Sequence, residues 1–194
     1  MMASVQEVCD EVFSLFDVYG NSNYIGEAVS QIQHALQAAY QAEQEGFPVE
    51  IVLGALLHDI GHLVGQRNGY APMITEGMVL GTPNHDTVGE TYLQHLGFPS
   101  EVTSFVRGHV NAKRYLVATD KNYYNNLSDA SKMTLVHQGG PMTTCEVEKF
   151  TKDKNYEAIL RMRSWDEKAK DPDAQTPSLQ HYKDICGKYL KEKK

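Results

Sequence analysis

The feature that most constrains the fold is an uncharged apolar segment that leads into an adjacent histidine and aspartate. Residues 51–57 carry no charge and lack the strict alternation of a half-buried strand, so they predict a buried helix over about residues 49–64. His58 and Asp59 follow directly, and His62 comes four residues after His58. An imidazole and a carboxylate in a core need partners, and one metal ion can serve both. For an isolated His-Asp pair, a hydrogen-bonded core histidine beside a surface aspartate is the simpler interpretation.

The composition is that of one ordinary globular domain. Hydrophobic residues make up 41% and charged residues 22% of the 194 positions, which predicts a single domain over residues 1–194. The formal net charge of -7 disfavours nonspecific nucleic-acid binding, so an anionic substrate would need a local basic pocket. No apolar run reaches membrane-spanning length, and the acidic residues near the N-terminus are not typical of a signal peptide. The three cysteines are far apart in sequence, which indicates free thiols. We expect a cytoplasmic protein with no nucleic-acid or membrane partner; the oligomeric state stays open.

Apolar residues at helical spacing predict an all-α fold, and no segment gives a convincing strand signal. Residues 65–84 are interpreted as a long loop, in which Tyr70, Met73 and Met78 could line a pocket. Ser100 is expected to cap a helix that carries His109. The other helices are predicted over residues 4–17, 24–45, 49–64, 85–96, 128–136, 143–150, 154–169 and 178–190.

The histidine and aspartate pattern overturns the simpler interpretation of the His-Asp pair. Potential metal ligands lie on five different predicted helices, and only one pair is adjacent in sequence: His34, His58, Asp59, His85, His109 and Asp166. A helical bundle can project such side chains into one core, as dimetal sites require. Four imidazoles and two carboxylates exceed the needs of one ion. If Asp59 bridges two ions, each ion takes about three protein ligands and keeps positions open for substrate and dioxygen.

These residues carry a resemblance to a known family. His34, the His58-Asp59 pair and Asp166 resemble the H…HD…D signature of the HD-domain superfamily, and His85 and His109 resemble the extra histidines of its dimetal branch. Most of that superfamily are phosphohydrolases, and a smaller group are mixed-valent di-iron oxygenases. The chain most closely resembles the organophosphonate-cleaving oxygenases, in residues 23–28, 56–62, 108–120, 127–132, 137–141 and 161–166.

The resemblance implies a fold, a cofactor and a set of site residues. The fold would be an HD-domain helical bundle, and the cofactor two iron ions, Fe(II) and Fe(III), with dioxygen as co-substrate. The implied iron ligands are the six residues His34, His58, Asp59, His85, His109 and Asp166. The implied phosphonate-binding residues are His62, Lys113, Ser131, Thr134 and Arg163.

Two further residues receive roles by the same resemblance. Tyr24 would cover an open iron position until substrate arrives, and Glu27 would meet the cationic nitrogen of the substrate. Both are expected on one face at the start of the predicted helix over residues 24–45. A glutamate that favours a helix N-terminus for dipole reasons is the alternative role for Glu27.

Sequence spacing independently supports a position in the metal pocket for two of the cationic residues. Lys113 lies one helical turn after His109, and Arg163 lies three residues before Asp166, so both cations would face the metal pocket. A dianionic phosphonate favours such donors, and arginine offers a bidentate fork. Taken singly, a lysine or arginine is more often a solvated surface charge.

The activity implied by the resemblance is oxidative cleavage of a carbon–phosphorus bond in a small phosphonate. The substrate would be (1-hydroxy-2-(trimethylammonio)ethyl)phosphonate, giving glycine betaine and phosphate, or 2-amino-1-hydroxyethylphosphonate, giving glycine and phosphate. The aromatic and methionine side chains of residues 65–84 favour the trimethylated substrate. A metal-dependent HD-domain phosphohydrolase is the alternative enzyme, because the same ligands would serve it. A binding or sensor module with a degenerate metal site is the non-enzymatic alternative.

Overall fold

The computed structural model describes residues 3–193, and this part of the chain contains eleven α-helices and one short hairpin. Within that range no helix is both long and apolar enough to span a bilayer. The predicted all-α class is confirmed. In chain order the elements are α1 (Val5–Tyr19), α2 (Gln31–Gln44), α3 (Val49–Leu57), α4 (Ile60–Asn68), β1 (Ile74–Thr75), β2 (Met78–Val79), α5 (His85–His95), α6 (Ser100–Thr119), α7 (Tyr123–Asn126), α8 (Asp129–His137), α9 (Thr144–Phe150), α10 (Tyr156–Lys168) and α11 (Leu179–Glu192).

Helix α3 lies at the centre of the bundle, as its uncharged sequence predicts. It packs against α2, α6, α10 and α11. Leu53, Leu56 and Leu57 are at most 1% exposed, and burial of each leucine side chain contributes about 1.5–3 kcal/mol. Trp165 of α10 is also fully buried, with Phe47 packed edge-on against its ring. The apolar centre therefore fixes α2, α6 and α10 around the end of α3, where the His-Asp pair lies.

The predicted continuous helix over residues 49–64 is wrong in one respect, because it breaks at the His-Asp pair. Helix α3 ends at Leu57, and α4 begins at Ile60 after Asp59 adopts φ -101° and ψ 10°. In an unbroken helix the Asp59 side chain would point about a quarter-turn away from that of His58. The break instead brings Asp59 Oδ2 within 3.3 Å of His58 Nε2.

The start of the predicted helix over residues 24–45 is also wrong. Helix α2 begins only at Gln31, where Ser30 and Gln33 form a capping box. Tyr24 and Glu27 lie instead in a tight turn, in which the Glu27 amide donates to the Tyr24 carbonyl over 3.0 Å. Gly26 has a φ of 69°, a left-handed conformation that glycine tolerates best.

Residues 65–84 contain more regular structure than the predicted loop. Helix α4 extends to Asn68, and β1 pairs with β2 in an antiparallel hairpin. Its turn residues Glu76 and Gly77 both have positive φ, at 52° and 81°, as a type I′ hairpin turn requires. The absence of a strand was therefore a wrong prediction. Helix α7 was not predicted, and the remaining helices agree with their predicted limits to within a few residues.

Candidate metal centre and substrate pocket

The six potential metal ligands converge at the buried centre of the bundle, and none is more than 8% exposed. They come from α2, the α3–α4 break, the first turn of α5, α6 and α10. Two groups each have three ligand atoms within 4.8 Å of one another, and Asp59 belongs to both. The groups are His34, His58 and Asp59, and then Asp59, His85 and His109.

Asp59 lies between two pairs of histidines, and each carboxylate oxygen faces one pair. Asp59 Oδ2 is 3.6 Å from His34 Nε2 and 3.3 Å from His58 Nε2. Asp59 Oδ1 is 3.3 Å from both His85 Nε2 and His109 Nε2. This is the arrangement that a carboxylate bridging two ions requires, as the sequence pattern predicts for Asp59.

The histidine rings are oriented to present lone pairs rather than protons. Nδ1 of His34, His58 and His109 each lies 2.7–2.9 Å from a backbone carbonyl oxygen, which can only accept. The proton of a neutral ring therefore sits on Nδ1, and Nε2 carries a lone pair. Backbone carbonyls commonly orient metal-binding histidines in this way.

The spacing of the Nε2 atoms fits a cation between them. His34 Nε2 lies 3.1 Å from His58 Nε2, and His85 Nε2 lies 2.9 Å from His109 Nε2. Two facing lone pairs repel each other unless a cation lies between them. With metal–nitrogen bonds of about 2.1 Å, ligands at right angles on one ion are about 3.0 Å apart. The donor set therefore fits two metal ions, one on each side of Asp59.

Asp166 completes the side of the centre that contains His34. Its Oδ1 lies 3.4 Å from His34 Nε2, and its Oδ2 pairs with the Arg163 guanidinium. Burial alone would raise the pKa of Asp166, but the charge of Arg163 together with His34 and His58 holds that pKa well below its usual range. Asp166 is therefore an ionised carboxylate with one oxygen directed at the metal position.

A small cavity of about 50 Å³ lies beside Asp59 and His85. Ile25 and Ala130 give it an apolar edge, and the rest of its wall is mostly polar or charged. All seven residues of the expected substrate-binding set line this cavity: Tyr24, Glu27, His62, Lys113, Ser131, Thr134 and Arg163.

Lys113 and Arg163 are buried, so the alternative of two solvated surface charges is wrong; each is 5% exposed. Lys113 Nζ donates to Thr134 Oγ1 over 3.0 Å. Burial and the neighbouring Arg163 lower the pKa of Lys113 to about 7. Burial also acts to lower the pKa of Arg163, but Asp166 together with Tyr123 and Glu167 raises that pKa above its usual value. Of these two side chains, Arg163 is a permanent cation and Lys113 is charged only up to about neutral pH.

Tyr24 lies against the His34 side of the candidate metal centre. Its ring stacks on the His34 imidazole with centroids 3.8 Å apart, and its hydroxyl lies 3.5 Å from Asp166 Oδ1. Burial and the charges of Asp59 and Asp166 raise the pKa of Tyr24, so the phenol stays protonated. The expectation that Tyr24 and Glu27 share a helix face is wrong, since both lie in the turn before α2. They still line the same cavity.

His62 also lines the cavity, and its ring stacks on that of His85 with centroids 4.0 Å apart. The Thr82 amide donates to His62 Nδ1 over 2.9 Å, which leaves the ring proton on Nε2. Burial and the neighbouring His85 lower the pKa of His62 well below its usual value, so the ring is neutral. His62 can therefore donate one hydrogen bond from Nε2.

Sequence reasoning missed two polar residues of the cavity wall. Gln138 has a buried Oε1 without a hydrogen-bond partner, and Lys170 pairs with Glu27. Lys170 lies beyond the end of α10, so helical spacing from Asp166 gave no signal for it.

The contribution expected from residues 65–84 is not found. The cavity lining does not include Tyr70, Met73 or Met78. Met73 is buried, whereas Tyr70 and Met78 are exposed. The argument that these side chains favour a trimethylated substrate is therefore wrong.

Comparisons with known proteins agree with this geometry. The HD domain family model matches residues 28–176. The glycine-betaine-forming (1-hydroxy-2-(trimethylamino)ethyl)phosphonate dioxygenase of Leisingera caerulea is 42% identical over 175 residues, 90% of this chain and 86% of the relative. The hydroxymethylphosphonate dioxygenase of Gimesia maris is 37% identical over 172 residues, 88% of this chain and 82% of the relative. With the His58-Asp59 pair at the centre of its metal-ligand cluster, the chain belongs to the HD domain family.

Proposed function

We propose that the protein is a di-iron dioxygenase that cleaves the carbon–phosphorus bond of a small 1-hydroxyphosphonate. The carbon that bears the hydroxyl is oxidised to a carboxylate, dioxygen is reduced, and phosphate is released. The observation that carries the proposal is the position of Asp59 between two histidine pairs, beside a cavity that contains Lys113 and Arg163. The names of both relatives support oxygenase chemistry over the phosphohydrolase alternative.

Iron is the metal that the donor set favours. Each ion would meet two imidazole nitrogens and one oxygen of Asp59, and Asp166 adds a carboxylate on the His34 side. Two histidines and one carboxylate with open positions are typical of non-haem iron oxygenases. When bound, a mixed-valent Fe(II)/Fe(III) pair would supply the activation of dioxygen. We assign His34, His58, Asp59, His85, His109 and Asp166 as its ligands.

The cavity residues bind and orient the phosphonate. Lys113, Ser131, Thr134 and Arg163 supply cationic and hydroxyl donors to its oxygens, and His62 adds the hydrogen bond from Nε2. The phenol of Tyr24 covers the centre and must move when the substrate enters. Because the cavity measures only about 50 Å³, its wall would hold the reacting C–H bond of a bound substrate in one orientation.

Three substrates are consistent with the proposal. Glu27 suits the cationic nitrogen of (1-hydroxy-2-(trimethylammonio)ethyl)phosphonate, which would give glycine betaine, or of 2-amino-1-hydroxyethylphosphonate, which would give glycine. Hydroxymethylphosphonate, the compound in the name of the Gimesia maris relative, carries no cation.

The test is oxygen uptake measured together with phosphate release. The purified protein is loaded anaerobically with Fe(II) and ascorbate, and each of the three phosphonates is added before oxygen. Uptake that matches phosphate release for at least one compound supports the dioxygenase. Phosphate release that continues without oxygen contradicts it and favours a phosphohydrolase. Protein that cannot be loaded with iron favours a sensor or binding module.

A further inference from the structure

The carboxylate of Glu27 already has a cationic partner inside the cavity. Lys170 Nζ pairs with Glu27 Oε1, and both side chains are largely buried, at 23% and 18% exposure. Both residues line the cavity beside the metal ligands. A cationic substrate nitrogen that approached Glu27 would therefore meet a carboxylate neutralised by Lys170.

The backbone on both sides of Lys170 is fixed. The Ala169 carbonyl accepts a hydrogen bond from His34 Nδ1 over 2.9 Å. Asp171 exchanges two hydrogen bonds with Gln37, from the Asp171 amide to Oε1 over 3.1 Å and from Nε2 to the Asp171 carbonyl over 2.8 Å. Lys170 is thus held against α2, which carries metal ligand His34.

The backbone of Glu27 is fixed in a comparable way. Its amide donates to the Tyr24 carbonyl, and the Tyr24 amide donates to the Val29 carbonyl over 2.8 Å. The Lys170–Glu27 pair therefore joins two anchored segments, the turn before α2 and the segment after α10. It is not a contact between two mobile surface side chains, whose energy would be close to zero.

We propose that Lys170 is a specificity-determining residue that lowers the preference of the pocket for cationic 1-hydroxyphosphonates relative to uncharged ones. A cationic nitrogen must displace Lys170 from Glu27 or lie beside a second positive charge, and either event weakens its binding. Hydroxymethylphosphonate leaves the pair intact. This inference rests on the proposed function and extends it from the reaction to the choice between substrates.

The test compares Lys170→Met with the matched control Lys168→Met. Lys168 carries the same charge on the last turn of α10, but its side chain is exposed. The quantity measured is the ratio of kcat/KM for the trimethylammonio compound to that for hydroxymethylphosphonate. The same ratio is formed from the anaerobic association constants, the reciprocals of the dissociation constants, of the two compounds on iron-loaded protein, where turnover is impossible. We expect Lys170→Met to raise both ratios by about tenfold, mainly through KM, and Lys168→Met to leave them unchanged.

A double-mutant cycle identifies the partner of Lys170. If Lys170 acts through Glu27, Lys170→Met should have little effect on the ratio in a Glu27→Gln background. Lys170→Arg keeps a cation at this position and should retain the wild-type ratio. If Lys170→Met does not fold, Lys170→Gln provides the same test.

Failure of this inference is distinguishable from failure of the proposed function. A ratio that is unchanged or lowered in a folded neutral Lys170 variant overturns the role of Lys170, even when the wild type is an active dioxygenase. No oxygen uptake by the wild type with any of the three phosphonates overturns the proposed function. The anaerobic dissociation constants would still test Lys170 in that case.

Discussion

At the scale of single residues, the site depends on one carboxylate that lies between two pairs of imidazoles. The two oxygens of Asp59 divide the histidines into two pairs, with 3.1 Å between the Nε2 atoms of one pair and 2.9 Å between those of the other. The sequence predicted these donors because His58-Asp59 adjacency and widely spaced histidines are local features. It could not predict that Lys170 pairs with Glu27, because 143 positions separate them and only tertiary packing brings them together.

The first prediction concerns the bridging position. Asp59→Ala removes the oxygen that faces each histidine pair, so we expect iron content to fall to near zero and oxygen uptake to be lost. Changing a group that only supports a ligand costs about 10–100-fold in metal affinity, and loss of a bridging ligand should exceed that. Iron per chain and oxygen uptake are measured against His95→Ala, an exposed histidine on the same helix as His85. Two irons retained by Asp59→Ala would contradict the assignment.

The second prediction concerns the lowered pKa of Lys113. Its pKa is about 7 in the folded protein and 10.5 when unperturbed, so below pH 7 folding must bury a charged ammonium. At 1.36 kcal/mol per unit, this shift corresponds to a destabilisation of about 5 kcal/mol. As pH rises from 7 to 10.5, the unfolded state holds more protons and the destabilisation disappears.

Lys113→Met should therefore be more stable than wild type at pH 6.5, and the difference should shrink towards pH 10. Thr134 keeps its hydrogen bond to the Ser131 carbonyl at 3.1 Å, so the variant leaves no unpaired hydroxyl there. Denaturant unfolding of both metal-free proteins across this pH range gives the two free energies of unfolding. A difference that does not depend on pH would show that the charge of Lys113 is not its cause.

At the scale of elements, the His-Asp break and a close helix crossing place two sets of ligands together. Helix α4 starts directly after Asp59 and packs on α5, whose first residue is His85. A Cβ atom at Gly61 would lie 1.9 Å from the His85 carbonyl oxygen, so only glycine allows this approach. The apolar periodicity of residues 49–64 predicts a helix there, but it contains no signal for the break.

The third prediction tests this helix crossing. Gly61→Ala should push α5 away from α4, which displaces His85 and costs about 1–3 kcal/mol of stability by overpacking. Gly187→Ala is the matched control, because it lies inside α11 and its Cβ would meet only Cys9 Sγ at 3.8 Å. The control should be as stable as wild type or up to about 1 kcal/mol more stable. The free energy of unfolding in denaturant and the iron content are measured for both variants. If the two variants gave equal values, the close α4–α5 crossing would not require glycine at position 61.

At the scale of the whole molecule, the family and the buried centre could be predicted, but the turn over residues 24–30 could not. The match to residues 28–176 confirms the HD domain, while its extension to the full chain and the cytoplasmic location stay predictions. The apolar residues Ile25, Val29 and Ile32 have the spacing of one face of a helix. The chain nevertheless turns there, because the Gln31 amide donates to the Ser22 carbonyl over 3.0 Å and Gly26 adopts a left-handed conformation.

The last prediction follows from the way the ligands are distributed over the fold. Metal binding should stabilise the whole bundle, because its ligands come from α2, the α3–α4 break, α5, α6 and α10, and none from α1, α9 or α11. Iron at 100 times its dissociation constant adds about 2.7 kcal/mol for one site. For a chain of this length, we expect Tm to rise by about 5–10 °C. Hydrogen exchange should slow most in the ligand-bearing helices. If iron raised the Tm of Asp59→Ala by the same amount, the stabilising iron would bind somewhere other than this centre.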